Sequence, residues 1–348
     1  MGDVYPVVKA AAVQACPVFL EREATTEKAC RLIREAGENG ARVIVFPEGF
    51  IPAHPVWYHF HPGTGPIAIK LSLELFKNSV EIPGPEVTAL CDAAKDANAY
   101  VMMGVCEKIK NTDGTMYNTQ ITIGPDGNYL GKHQKIMPTV GERFVHALGG
   151  TDTFGVIQSE FGPISGLLCS ENSNPLEIFA LTAEGTRIHG AAWPNHWSKL
   201  QESMKDYVSV ATLNFAQVAK CFVISSCATV NEEMIKKLQL TPEEEEILRQ
   251  PKYAGGSMIA APNCSLIAGP MGNEEGILYA DLDLELCARH KLEHHFSGHY
   301  NRPDMFQFSI NRQPPVLYTE VKEQSNAVEI VEDIEAETVD FSDNFDGS

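Results

Sequence analysis

Cys169 stands where the apolar run Ile164-Ser165-Gly166-Leu167-Leu168 gives way to Ser170-Glu171-Asn172. A short buried strand that stops on a thiol, with a turn and a helix beyond it, presents the sulfur at a strand end facing a cleft. A thiol in that position can attack an electrophilic carbon. Glu48 follows a second buried strand, Ala41 to Phe46, directly after Pro47. A carboxylate there is costly to hide unless it has a partner or a task, and desolvation raises its pKa toward general-base range. Lys135 closes a third strand that begins at Tyr129. An ammonium at such a strand end stabilises negative charge developing on a tetrahedral intermediate. Lys132 competes for that role, but strand alternation points the two lysines to opposite faces, so only one enters a shared site. Taken singly, these are an ordinary loop acid, a strand-end lysine and a buried structural thiol. Together they supply a nucleophile, its base and an oxyanion stabiliser, with no histidine required.

The surrounding elements must bring those three strand ends together. Strand patterns cover Val7 to Gln14, Tyr100 to Glu107, Tyr117 to Ile123, Val156 to Gln158, Ile188 to Trp193 and Cys221 to Ser226. Helical periodicity covers Thr25 to Ala36, Ile67 to Phe76, Val87 to Ala97, Leu176 to Glu184, Lys205 to Ala219 and Leu284 to His294. The order strand, helix, strand, helix, then meander occurs twice, with no linker between the halves. That grammar predicts an α/β (α+β) chain in which two mixed sheets pack face to face with helices outside. A loop rich in proline and aromatics, Phe50 to Pro66, follows Glu48. Residues 232–250, with Glu243 to Glu246 consecutive, are expected to be a surface insertion.

The 348 residues carry a net charge of -19, which argues against nucleic acid or an anionic membrane as partner and favours a small uncharged or cationic ligand. Ten acids and one lysine fall in residues 320–348. This division gives a single domain over 1–315 and an acidic tail over 316–348, either solvated or an arm whose Val328, Ile330 and Val331 pack on another subunit. Nine cysteines without framework spacing indicate reduced thiols and a cytoplasmic protein, and no apolar stretch reaches membrane-spanning length. His54, His59 and His61, and again His294, His295 and His299, lack metal-ligand spacing, so no metal is expected.

Three blocks carry a family likeness: Phe46-Pro47-Glu48, Gly131-Lys132-His133-Gln134-Lys135-Ile136-Met137-Pro138-Thr139, and Leu168-Cys169-Ser170-Glu171-Asn172. In order and spacing they resemble the catalytic blocks of the nitrilase superfamily, over roughly residues 7–310. Gly141-Glu142-Arg143-Phe144-Val145-His146 and Gly298 to Asp304 are similar to the true nitrilase branch in particular. The resemblance implies a four-layer αββα sandwich, no cofactor, and dimers that build larger homo-oligomers or spirals. It makes Glu48 the general base, Lys135 rather than Lys132 the oxyanion stabiliser, Cys169 the nucleophile and Glu142 a second active-site carboxylate. The implied activity is hydrolysis of a small-molecule nitrile; amide or carbamoyl hydrolysis would use the same triad. Many nitrilases have Trp after the cysteine, where this chain has Ser170, and Gly and Tyr where it has Ala53 and His54. Both departures fall beside the expected pocket, for which His54, Ser170, Asn172 and Trp193 are the expected substrate-binding residues.

Overall fold

The computed structural model describes residues 2–195 and 203–314, so the acidic tail and Trp197, another aromatic of the sequence, lie outside the described residues. Residues Met1–Pro314 cluster as one compact unit. Its first half runs β1 (Val7–Gln14), α1 (Arg22–Glu38), β2 (Val43–Val45), α2 (Pro66–Asn78), α3 (Pro85–Ala97), β3 (Tyr100–Lys108), β4 (Met116–Ile123) and β5 (Tyr129–Gln134). The second half runs β6 (Ile157–Ser159), β7 (Gly162–Leu168), α4 (Pro175–Ala183), β8 (Ile188–Trp193), α5 (Met204–Ala219) and β9 (Phe222–Cys227). After it come α6 (Glu232–Lys237), α7 (Pro242–Arg249), β10 (Met258–Ala260), β11 (Leu266–Ala268), β12 (Gly276–Asp283) and α8 (Glu285–Glu293).

The strands make two six-stranded sheets, ordered β12-β1-β2-β3-β4-β5 and β11-β10-β9-β8-β7-β6. In each, three central strands run parallel and the flanking ones antiparallel, so the doubled grammar of the sequence becomes a doubled topology. Alternation decides which residues face inward. Val8, Ala10, Val43, Val45 and Met102 of one sheet meet Ile164, Ile188, Phe222 and Ile224 of the other. The opposite faces carry α1 and α3 over Ile44, Val101 and Met103, and α4 and α5 over Leu167, Ala191 and Val223. The αββα layering expected from the sequence is the observed one.

The sheets approach closely at two glycines. A Cβ on Gly190 would stand 2.3 Å from Met102 Sδ, and one on Gly166 only 1.7 Å from Gln120 Oε1. Larger residues there would wedge the sheets apart within β7 and β8, and Cys169 stands directly after β7.

One expectation is corrected. Residues 232–250 are not merely a surface insertion: α6 and α7 bury Met234, Ile235, Leu238 and Leu248 against Phe19, Val56 and Trp57. The glutamates face solvent, while the interspersed aliphatics cover the loop that follows Glu48. The helices therefore act as a roof over that loop, and the burial of four aliphatic side chains at roughly 1.5–3 kcal/mol each holds it.

Candidate active site

β2 ends at Val45, and Phe46 N continues the ladder by donating to Met102 O at 2.8 Å. The chain then turns through Pro47-Glu48-Gly49 directly over β3. Gly104 makes the crossing feasible, because a Cβ there would lie 2.1 Å from Pro47 O. Glu48 N donates to Trp193 O at 3.2 Å, which joins this turn to the end of β8 in the other sheet. The Glu48 carboxylate is 1% exposed and so belongs to the interior.

Lys135 follows β5, its backbone held by Lys135 N donating to Asn118 O at 2.8 Å and by Gly149 N donating to Lys135 O at 2.8 Å. Its Nζ lies 2.6 Å from Glu48 Oε1 and 2.7 Å from Glu142 Oε2, with all three side chains buried. Asn118, near the start of β4, donates through Nδ2 to the same two acids, at 2.6 Å to Glu48 Oε1 and 2.7 Å to Glu142 Oε1. Glu142 also accepts from Thr139 N at 3.0 Å and lies 3.1 Å from His146 Nδ1. An ammonium and an amide thus bridge two buried carboxylates, and one of these acids is saturated with donors while the other is not.

That asymmetry sets their chemistry. Burial opposes ionisation of Glu142, but Lys135 and the His146 hydrogen bond outweigh it and hold the carboxyl well below its ordinary range. Glu48 is pushed up to about 7, chiefly by burial, with Lys135 pulling down and the neighbouring charge of Glu142 pushing up. Glu48 Oε2 has no hydrogen-bond partner among the described residues. It is a carboxylate poised to take a proton near neutrality, beside one that stays charged. Burial works against the Lys135 ammonium, yet the two acids keep it charged far above the usual lysine range. Glu48, His54 and Glu142 offer atoms within 4.8 Å of one another, a constellation that could hold a cation. The Lys135 ammonium already bridges the two acids.

β7 ends at Leu168, and Cys169 opens a short 3-10 turn to Ser173 with φ +52, a left-handed backbone unusual outside glycine. The thiol is 3% exposed, with Ser170 Oγ at 3.6 Å. Burial first, and Glu48 second, push its pKa well up, with Lys135 pulling the other way. The sulfur, the acid and the ammonium therefore share one electrostatic environment. Ser170 Oγ also lies 3.3 Å from Thr139 Oγ1.

The other expected residues divide. His54 is buried and neutral, its pKa depressed by burial; Nε2 lies 3.1 Å from Tyr58 Oη and Nδ1 has no partner among the described residues. Trp193 packs its indole edge-on to Tyr207 in the cluster that includes Cys169, and its backbone carbonyl is what meets Glu48. Asn172 braces the nucleophile's turn: Nδ2 donates to Cys169 O at 2.9 Å and Oδ1 lies 2.8 Å from His189 Nε2. Lys132 pairs with Glu107 on the face away from Glu48. Arg302 and Asp304 form an exposed ion pair in the late turn. Sequence reasoning missed Asn118, His146 and Glu171. The one signal for Asn118 was a polar residue at an alternating, inward position of a buried strand.

The carbon-nitrogen hydrolase family pattern matches residues 9–291. Among curated proteins, a Bacillus sp. (strain OxB-1) nitrilase is 36% identical over 88% of this chain and 89% of its own length. Nitrilase 2 of Arabidopsis thaliana is 35% identical over 90% of this chain and 91% of its own. A bifunctional nitrilase/nitrile hydratase of Lupinus angustifolius is 33% identical over 90% and 89%. Among solved structures, a carbon-nitrogen hydrolase from Helicobacter pylori G27 superposes with TM-score 0.68 at 16% identity, covering 86% of this chain and 97% of that one. Saccharomyces cerevisiae Nit3, of the nitrilase superfamily, gives 0.64 at 18% identity, covering 84% and 96%.

Proposed function

We propose that this chain, which belongs to the carbon-nitrogen hydrolase family, is a nitrilase that converts R-CN and two waters to R-COOH and ammonia. Relatives named nitrilase, 33–36% identical over about 90% of the chain, support the reaction. The observation that carries the mechanism is the single ammonium of Lys135 shared between a donor-saturated Glu142 and a Glu48 held near 7.

In the proposed reaction the Cys169 thiol, whose pKa lies above that of Glu48, is not a resting thiolate. Its proton passes to Glu48 as sulfur bonds to the nitrile carbon, and Glu48 hands that proton to nitrogen, giving a thioimidate. Water, deprotonated by Glu48, adds to the thioimidate carbon. The tetrahedral species that results leans on the Lys135 ammonium. Nitrogen takes that proton back from Glu48 and a second one from the new hydroxyl, relayed by the same carboxylate, and leaves as ammonia as the thioester carbonyl forms. A second water, activated in the same way, cleaves the thioester to the acid and restores the thiol. Glu142 stays ionised throughout and keeps Lys135 and the attacking water placed. His54, with a free Nδ1, and Ser170 border the substrate. A cytoplasmic homodimer that builds larger homo-oligomers fits this reading; among the described residues no helix is long and apolar enough to cross a membrane.

The test offers the full-length protein a panel of nitriles and the matching amides, scored for ammonia. Nitrile-dependent ammonia release that vanishes in Cys169→Ala with the fold intact supports the proposal. Release from amides but from no nitrile overturns it.

A further inference from the structure

Glu171 is a buried acid with no part in the proton transfers above, 3% exposed, two residues beyond the nucleophile. Its two carboxylate oxygens are spent on two different sheets. Oε1 accepts from Ile136 N at 2.7 Å, the residue directly after Lys135. Oε2 accepts from Leu168 N at 3.0 Å, the residue directly before Cys169, and lies 2.9 Å from His133 Nε2. β5 and β7 belong to separate sheets, so no ladder of backbone hydrogen bonds sets the separation of their ends. One rigid carboxylate ties them from both sides, since its two oxygens cannot move independently, with the Thr139 Oγ1 to Ser170 Oγ contact beside it.

From this geometry we propose that Glu171 is a positioning residue, a clamp that fixes the Cys169 turn relative to the strand end that carries Lys135. The clamp has something to hold: Cys169 sits in left-handed backbone at the mouth of the turn, and Asn172 braces the same turn from its carbonyl side. His133 orients the carboxylate from a third direction. Glutamine is the informative replacement, because it keeps the size of glutamate but has one acceptor oxygen, so either Ile136 N or Leu168 N faces an NH2 group. A reacting group displaced by about 1 Å loses about 10²-fold in rate.

The inference rests on the nitrilase reading for its turnover measurement, so the experiment adds a readout that needs no nitrile. Full-length wild type and Glu171→Gln are compared in kcat, KM, thermal midpoint, and the rate of Cys169 alkylation by iodoacetamide, followed at that residue by peptide mass spectrometry. The clamp predicts that kcat falls by about 10–100-fold while KM changes little, and that Cys169 alkylation slows. Unchanged kcat and alkylation with only a lower thermal midpoint would reduce Glu171 to a structural brace and overturn the inference. If wild type hydrolyses no nitrile, the alkylation comparison alone decides the clamp. If Glu171→Gln does not fold, Glu171→Asp takes its place, since it keeps two acceptor oxygens but is one methylene too short to reach both Ile136 N and Leu168 N. A several-fold loss in kcat and alkylation then supports the clamp, and no loss overturns it.

Discussion

Replacing Glu142 by glutamine tests whether the two buried acids act as a coupled pair. Oxygens of Glu48 and Glu142 lie within 4.8 Å of each other. At an effective dielectric of about 20, like charges at that separation repel by roughly 3 kcal/mol, equivalent to about two pH units in the ionisation of one of them. Glu48 is held near 7 partly by this repulsion. Activity requires Glu48 ionised, so kcat/KM in the wild type should rise through pH 7 from the acid side. In Glu142→Gln the repulsion disappears and the acid limb should move down by about two pH units. The freed Glu48 is also a weaker base, and two partners, either Lys135 and Thr139 or Asn118 and His146, lose their acceptor oxygen. At pH 8, kcat/KM should therefore fall by about 10²-fold although more of the base is ionised. Ammonia release measured from pH 5 to 9 on both proteins decides the matter. An acid limb that stays where the wild type has it would refute the coupling and the assignment of the titrating group to Glu48.

Two further outcomes follow from the same geometry. Lys135→Met leaves Glu48 and Glu142 facing each other without a cation, which raises Glu48 beyond useful range and removes the charge that holds the intermediate. Turnover should drop by about 10³-fold, whereas Lys132→Met, on the far face beside Glu107, should keep most of it. Glu177 is pushed up to about 8 by burial and by Glu171, against an ordinary value of 4.5. The folded state thus holds a proton that the unfolded chain releases, so this group makes stability fall as pH rises from about 4.5 through 8, at up to about 1.4 kcal/mol per pH unit. Glu177→Gln should flatten that part of the curve in thermal midpoints taken between pH 5 and 8, and a slope equal to the wild type would count against the raised pKa.

Local pattern was enough for most of the frame. Val7 to Gln14 carries a buried-strand pattern and is one, and the doubled order of strands and helices is visible before any contact is known. The positions of Glu48, Lys135 and Cys169 were legible because each ends a strand, and the likeness to family blocks named Glu142. What stayed hidden depends on register between distant segments. Asn118 reaches acids 70 and 24 residues away because β4 lies between β3 and β5, which no window of sequence contains. Glu171 looked like one polar residue of a turn, and its task appears only when Ile136 is brought beside Leu168. The brace that Asn172 adds was hidden for the same reason, since the partner of its oxygen, His189, lies on the next strand. In α6 and α7 the charges outnumber the aliphatics, yet Met234, Ile235 and Leu238 fall on one side of the turn and decide how the segment packs.

The left-handed backbone at Cys169 also restricts which nucleophiles this scaffold can host. A β-branched side chain is disfavoured at positive φ, so threonine fits the position poorly however well its hydroxyl might otherwise serve. Serine fits the backbone but presents an alcohol, whose proton a base near 7 removes far less readily than a thiol's. Sulfur is then the one common side-chain atom that meets both the conformational and the acid-base demand, and a redesign toward oxygen chemistry would have to begin by rebuilding the turn and the base together.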